Sequence, residues 1–164
     1  MRPQSLAASA LSLAVLLAPA WASDDDALTR LALCRDSWVD WQKGDPAKLK
    51  AFGESFRAQF SPHDNDPYFL PTRNVSVAGL RVTEAFPDSV GMGVGFSLTV
   101  DATFDEARKA LETALGKALQ KCESGEGMKN CEREIAPQRT VTLLSEDRPG
   151  SRHTLIGCYY FYEK

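Results

Sequence analysis

The sequence has no C-x-x-C pair, no G-x-S-x-G elbow and only two histidines. Those gaps exclude a C-x-x-C redox site and an α/β-hydrolase nucleophile in their usual forms. The charges nearly balance, with 19 basic against 22 acidic residues and a net of −3. A dense positive stripe for nucleic acid is therefore absent, and no nucleic-acid partner is expected. Charged residues at 25% and apolar residues at 43% also exclude a disordered tail and a fibre. Beyond residue 22 no apolar run approaches the ~20 residues that a membrane span needs.

What is there begins with a leader. Arg2 gives a positive start, Leu6 to Leu17 is apolar apart from two serines, and Ala20-Trp21-Ala22 reads as a cleavage site. Residues 1–22 are expected to be a signal peptide and residues 23–164 a single α+β domain. Cleavage near Ala22 removes Arg2 alone among the charges, leaving 18 basic against 22 acidic residues and a net of −4. Cys34 follows the acidic run inside a helical pattern, so lipidation is rejected. The expected location is the periplasm or the exterior. There, the Asn74-Val75-Ser76 glycosylation match carries no weight for a bacterial chain.

Asp26 to Lys43 reads as one helix, with Leu28, Leu31, Cys34, Trp38 and Trp41 along one face. Gly44 ends it, and Asp45-Pro46 starts a second helix with an N-cap acceptor and a first-turn proline. Leu49, Phe52, Phe56 and Phe60 form its stripe. Three prolines and His63-Asp64-Asn65-Asp66 make residues 61–72 a loop. Val75 to Phe86 and Val90 to Val100 read as two strands about a Pro87-Asp88 turn. Thr103 and Glu106 form a capping box for a helix reaching to about Lys121. Cys122 to Cys131 reads as a loop, and Arg139–Leu144 and His153–Tyr162 as strands. The expected fold is an N-terminal αα-hairpin followed by ββαββ, with a mainly antiparallel four-stranded sheet covered by helices.

Four cysteines allow three pairings. Cys122 and Cys131 have eight residues between them in a glycine-containing loop, which favours a local clip and leaves Cys34 for Cys158. Metal-ligand spacing is missing, so the cysteines are expected in two disulfides and no metal or cofactor is expected.

Three features are candidate sites. Gly91, Gly93 and Gly95 alternate within a strand. They are either a close-packing stripe, against the alanines of the third helix or a neighbouring aromatic ring, or an open groove. His63, Asp64 and Asp66 form a polar loop suited to a partner contact. Tyr160 and Tyr162 give the last strand an aromatic face that would anchor a partner if exposed.

The expected function is that of an exported, non-enzymatic interaction protein, an inhibitor or immunity-type binder of another envelope protein. A periplasmic hydrolase using His63 or His153 is the alternative from another class. A carrier of a small apolar ligand beside the glycine stripe is the third.

Overall fold

The computed structural model describes residues 26–90 and 93–161. The expected leader, Gly91 and Tyr162 lie outside them. Asp26 accepts from the Leu28 amide and opens α1 (Ala27–Ala32). The helix then stops, because Arg35 N donates to Arg30 O at 2.8 Å and Cys34 N donates to Leu31 O at 3.1 Å. This is the paired closure of a left-handed helix cap, with Cys34 at φ 56° where glycine is usual. Ser37 then caps α2 (Trp38–Gly44) by accepting from the Val39 and Asp40 amides. The single helix expected over residues 26–43 is therefore two. The break turns Cys34 towards Cys158, to which it is bonded. α3 (Pro46–Gln59) starts on the Asp45 cap and the first-turn proline that the sequence advertised.

The sheet departs further from expectation. Its strands are β1 (Phe60–Pro62), β2 (Phe69–Pro71), β3 (Ser76–Val77), β4 (Leu80–Phe86), β5 (Ser89–Val90), β6 (Gly93–Asp101), β7 (Gln120–Gly125), β8 (Met128–Ala136), β9 (Arg139–Glu146) and β10 (His153–Tyr160). Eight run in the order β1-β2-β4-β6-β10-β9-β8-β7, while β3 pairs with β4 and β5 with β6 off that path. Every pairing is antiparallel. The chain is α+β, but the four-stranded sheet covered by helices is wrong. A much larger antiparallel sheet carries few helices.

The extra strands come from segments that read as loops or as single strands. Residues 61–72 hold the β1–β2 hairpin, with Pro62 opposite Phe69 and Pro71 opposite Phe60. Proline is tolerated there because β1 is the outermost strand and both prolines end their strands. The expected strand from Val75 turns back at Ala78-Gly79, whose φ values are 51° and 78°. Two successive positive φ angles make the tight hairpin turn that matches strand twist. The same device at Glu126-Gly127, with φ 52° and 77°, folds β7 on β8 where a loop was expected. Val90 pairs with Gly93, so the run expected as one strand from Val90 to Val100 is two antiparallel pieces. α4 (Phe104–Leu115) has its capping box but ends early, because Gly116 takes φ 65°.

Side chains alternate between the two faces of this sheet. Phe96, Leu98 and Val100 of β6, Ile156 and Cys158 of β10 and Val141 and Leu143 of β9 share one face and are fully buried. They form one cluster with Leu28 and Leu31 of α1 and Ala107 and Leu111 of α4. Arg35 Nη2 donates to Ala114 O at 2.7 Å and ties the end of α1 to α4. Phe52 of α3 bridges Trp41 and Phe96, with ring centroids 5.7 and 6.0 Å away. The opposite face carries Gly95, Ser97 and Thr99 on β6, Leu155, Gly157 and Tyr159 on β10, and Thr142 on β9.

Candidate functional site

The glycine stripe lies on that opposite face, so the alanines of α4 do not pack against it. A Cβ on Gly93 would sit 2.1 Å from Tyr159 Cε1. A Cβ on Gly95 would sit 2.1 Å from Cys158 O and 2.5 Å from Val90 Cγ2, and one on Gly157 would sit 3.0 Å from Val90 Cγ1. Val90 is 1% exposed. The tyrosine ring and the valine therefore occupy the space that the glycines leave, and a groove at Gly93 and Gly95 is filled from within the chain.

The last strand puts its aromatics on different sides. Tyr160 shares the helix-covered face with Cys158, is 5% exposed, and meets Trp38 edge-on at 5.9 Å. A partner contact through Tyr160 is therefore corrected: α2 covers the ring. Tyr159 stacks on Phe161 at 5.8 Å on the other side, and Phe161 is 54% exposed. Burial and then the charge of Glu132 push the Tyr159 phenol above its ordinary value.

His63, Asp64 and Asp66 lie at the tip of the β1–β2 hairpin. His63 N donates to Tyr68 O at 3.2 Å, and Asp66 N donates to His63 O at 2.9 Å, which makes a turn of residues 63–66. His63 Nδ1 is 2.9 Å from Asp66 Oδ2. The imidazole stacks on the Tyr68 ring at 4.9 Å and 12°. Tyr68 in turn meets Phe86 of β4 at 5.8 Å. Burial first, then the charges of Asp66, Glu84 and Asp64, raise the Tyr68 pKa above its ordinary value. The phenol therefore stays protonated, an aromatic donor set among carboxylates. His153 Nε2 of β10 lies 3.5 Å from Glu84 Oε2 of β4, so the second histidine also meets a carboxylate.

Tyr68, Glu84 and Phe86 escaped the sequence reading. The signal for Tyr68 was the pair of short arms on either side of the polar tip, hidden by three prolines, whereas Glu84 and Phe86 join it from β4 only through the fold. Among the described residues no group of three His, Cys, Asp or Glu side chains is placed to hold a metal ion. The chain matches no protein family, no curated protein and no solved structure.

Proposed function

We propose that this is an exported interaction protein that binds a basic protein partner through the tip of the β1–β2 hairpin. The observation that carries this reading is the half-buried His63–Tyr68 ring stack, set among Asp64, Asp66 and Glu84. A rigid aromatic pair offers contact area at small entropic cost, and the carboxylates steer a cationic surface towards it. Two disulfides support an oxidising compartment and hence export. No helix among the described residues is long and apolar enough to cross a membrane. An inhibitor or immunity-type role fits this build, because such a protein needs one contact patch on a stable frame.

The test is capture of partners from an envelope extract by the oxidised protein, followed by quantitative binding to whatever is captured. One stoichiometric basic partner, weakened about tenfold by Tyr68→Ala and progressively by salt, supports the reading. A partner that binds the Tyr68→Ala and Asp66→Asn variants as well as the parent overturns it.

A further inference from the structure

We propose that the groove between the β2–β3 connection and β4 binds a small oxyanion, a single phosphoryl or carboxylate group. The groove has a volume of about 470 Å³ and is lined by Pro71, Thr72, Arg73, Asn74, Arg81 and Val82. Its only charged lining residues are two arginines, in a chain whose net charge is −3.

Its walls are held by the fold. Thr72 donates to Gln59 O through both its amide, at 2.8 Å, and its hydroxyl, at 3.0 Å. Val82 N donates to Val75 O at 2.9 Å. Arg81 Nη2 donates to Asp101 Oδ2 at 2.7 Å, which fixes one guanidinium in place. Arg152 takes the other oxygen of Asp101 at 2.9 Å and Glu106 Oε2 at 3.1 Å. Two guanidiniums, Arg81 on the lining and Arg152 beside it, thus meet the carboxylates of Asp101 and Glu106. Arg73, exposed on the lining, makes no ion pair among the described residues.

A guanidinium has five donors in a planar fork, so Arg81 keeps donors beyond the one given to Asp101. An oxyanion in the groove takes charge-assisted hydrogen bonds from the unpaired Arg73 and from the donors that Arg81 keeps. Two lining arginines, one of them already paired with Asp101, suit a single anionic group and not a polyanion such as nucleic acid. The groove shares no residue with the hairpin tip, so it stands or falls independently of the proposed function.

The test is a titration of the ¹⁵N-labelled oxidised protein with inorganic phosphate and, separately, with acetate at constant ionic strength. The expected result is a saturable shift confined to the amides of residues 72–74, 81 and 82. Arg73→Gln should weaken it about tenfold, since it removes one charge-assisted fork. Arg73→Lys, which keeps the charge without the fork, should fall between. Saturation by phosphate alone assigns the group as phosphoryl, and saturation by both ions assigns oxyanions in general. Shifts that are absent, that never saturate, or that persist unchanged in Arg73→Gln overturn the proposal.

Discussion

Two parts of the sheet are each closed by a disulfide, and the bonds act on different scales. In the centre, Cys34 and Cys158 are both fully buried, and their bond joins residues 124 apart in sequence. It pins α1 to β10 across the main core. In the outer wing, Cys122 is exposed and its bond to Cys131 spans nine residues within one hairpin. β7 is exposed along its whole length, so little apolar burial holds it. The centre has layers of apolar side chains and uses its disulfide to fix how a helix docks. The wing has few such contacts and uses its disulfide in their place. Loop-closure entropy assigns about 5 kcal/mol to the long bridge and about 3 kcal/mol to the short one.

The largest expected effect comes from removing the central bridge. Cys34→Ala with Cys158→Ala should lose about 5 kcal/mol in denaturant unfolding, enough to unfold a chain of ordinary stability. A loss under about 1 kcal/mol would mean that α1 docks without it. Next comes Gly95→Ala, which leaves both bridges intact but drives a methyl onto the Cys158 carbonyl. It should cost about 3 kcal/mol or more by overpacking, measured the same way. Cys122→Ala with Cys131→Ala should cost at most about 3 kcal/mol. Its hydrogen-exchange losses should be confined to β7 and β8. Faster exchange spreading into β6 or β10 would break the distinction between the two regions.

Acid gives the smallest change near neutrality and a definite sign. Hydrogen bonds from Arg30, and then from Lys48, outweigh burial and lower the Asp36 pKa. Hydrogen bonds from Arg81 and Arg152 do the same for Asp101. Carboxylates depressed in the folded state contribute stability above their unfolded pKa and lose it as the pH falls through the folded value. Stability should therefore stay level through neutrality and decline below about pH 4, the ordinary carboxylate value. The decline should appear first at the α1–α2 connection, which holds Asp36, and at the end of β6, which holds Asp101. A decline that sets in well above pH 5 would overturn this assignment to the two carboxylates.

Much of the centre was legible in the sequence, because its signals are local or periodic. Asp45-Pro46 and the Thr103–Glu106 box mark helix starts through backbone chemistry that tertiary contacts do not override. Phe96, Leu98 and Val100 alternate with Ser97 and Thr99 because only one face of β6 packs into the apolar core cluster. The wing gave no such signal. Neither face of β7 is buried, so its residues have no reason to alternate, and Cys122 to Cys131 reads as polar loop. Gly79 and Gly127 were the available clues, since glycine suits the second of two successive positive φ angles, while Ala78 and Glu126 gave no sign of the first. The split of the first helix was hidden for another reason. Cys34 adopts a backbone conformation that suits glycine, and a bond to a residue 124 positions away helps hold it there. For the hairpin tip, His63 and Asp66 were visible as polar residues, but their tyrosine neighbour became part of the site only once residues 61–72 folded as a hairpin.

The way the sheet ends bears on how the protein behaves when crowded. A sheet this wide has two free edges, and a free edge can recruit a strand from a neighbouring chain and start an aggregate. Here one edge is β1, three residues long and ending in Pro62. The other is β7, whose pairing with β8 breaks register between Gln120 and Glu123, beside Lys121 at φ 45°. A short strand with a proline and a kinked strand with a lysine are both poor templates for addition. The disulfide at Cys122 ties β7 to β8 beside that register break, so the bond that closes the wing also holds the irregular edge in place.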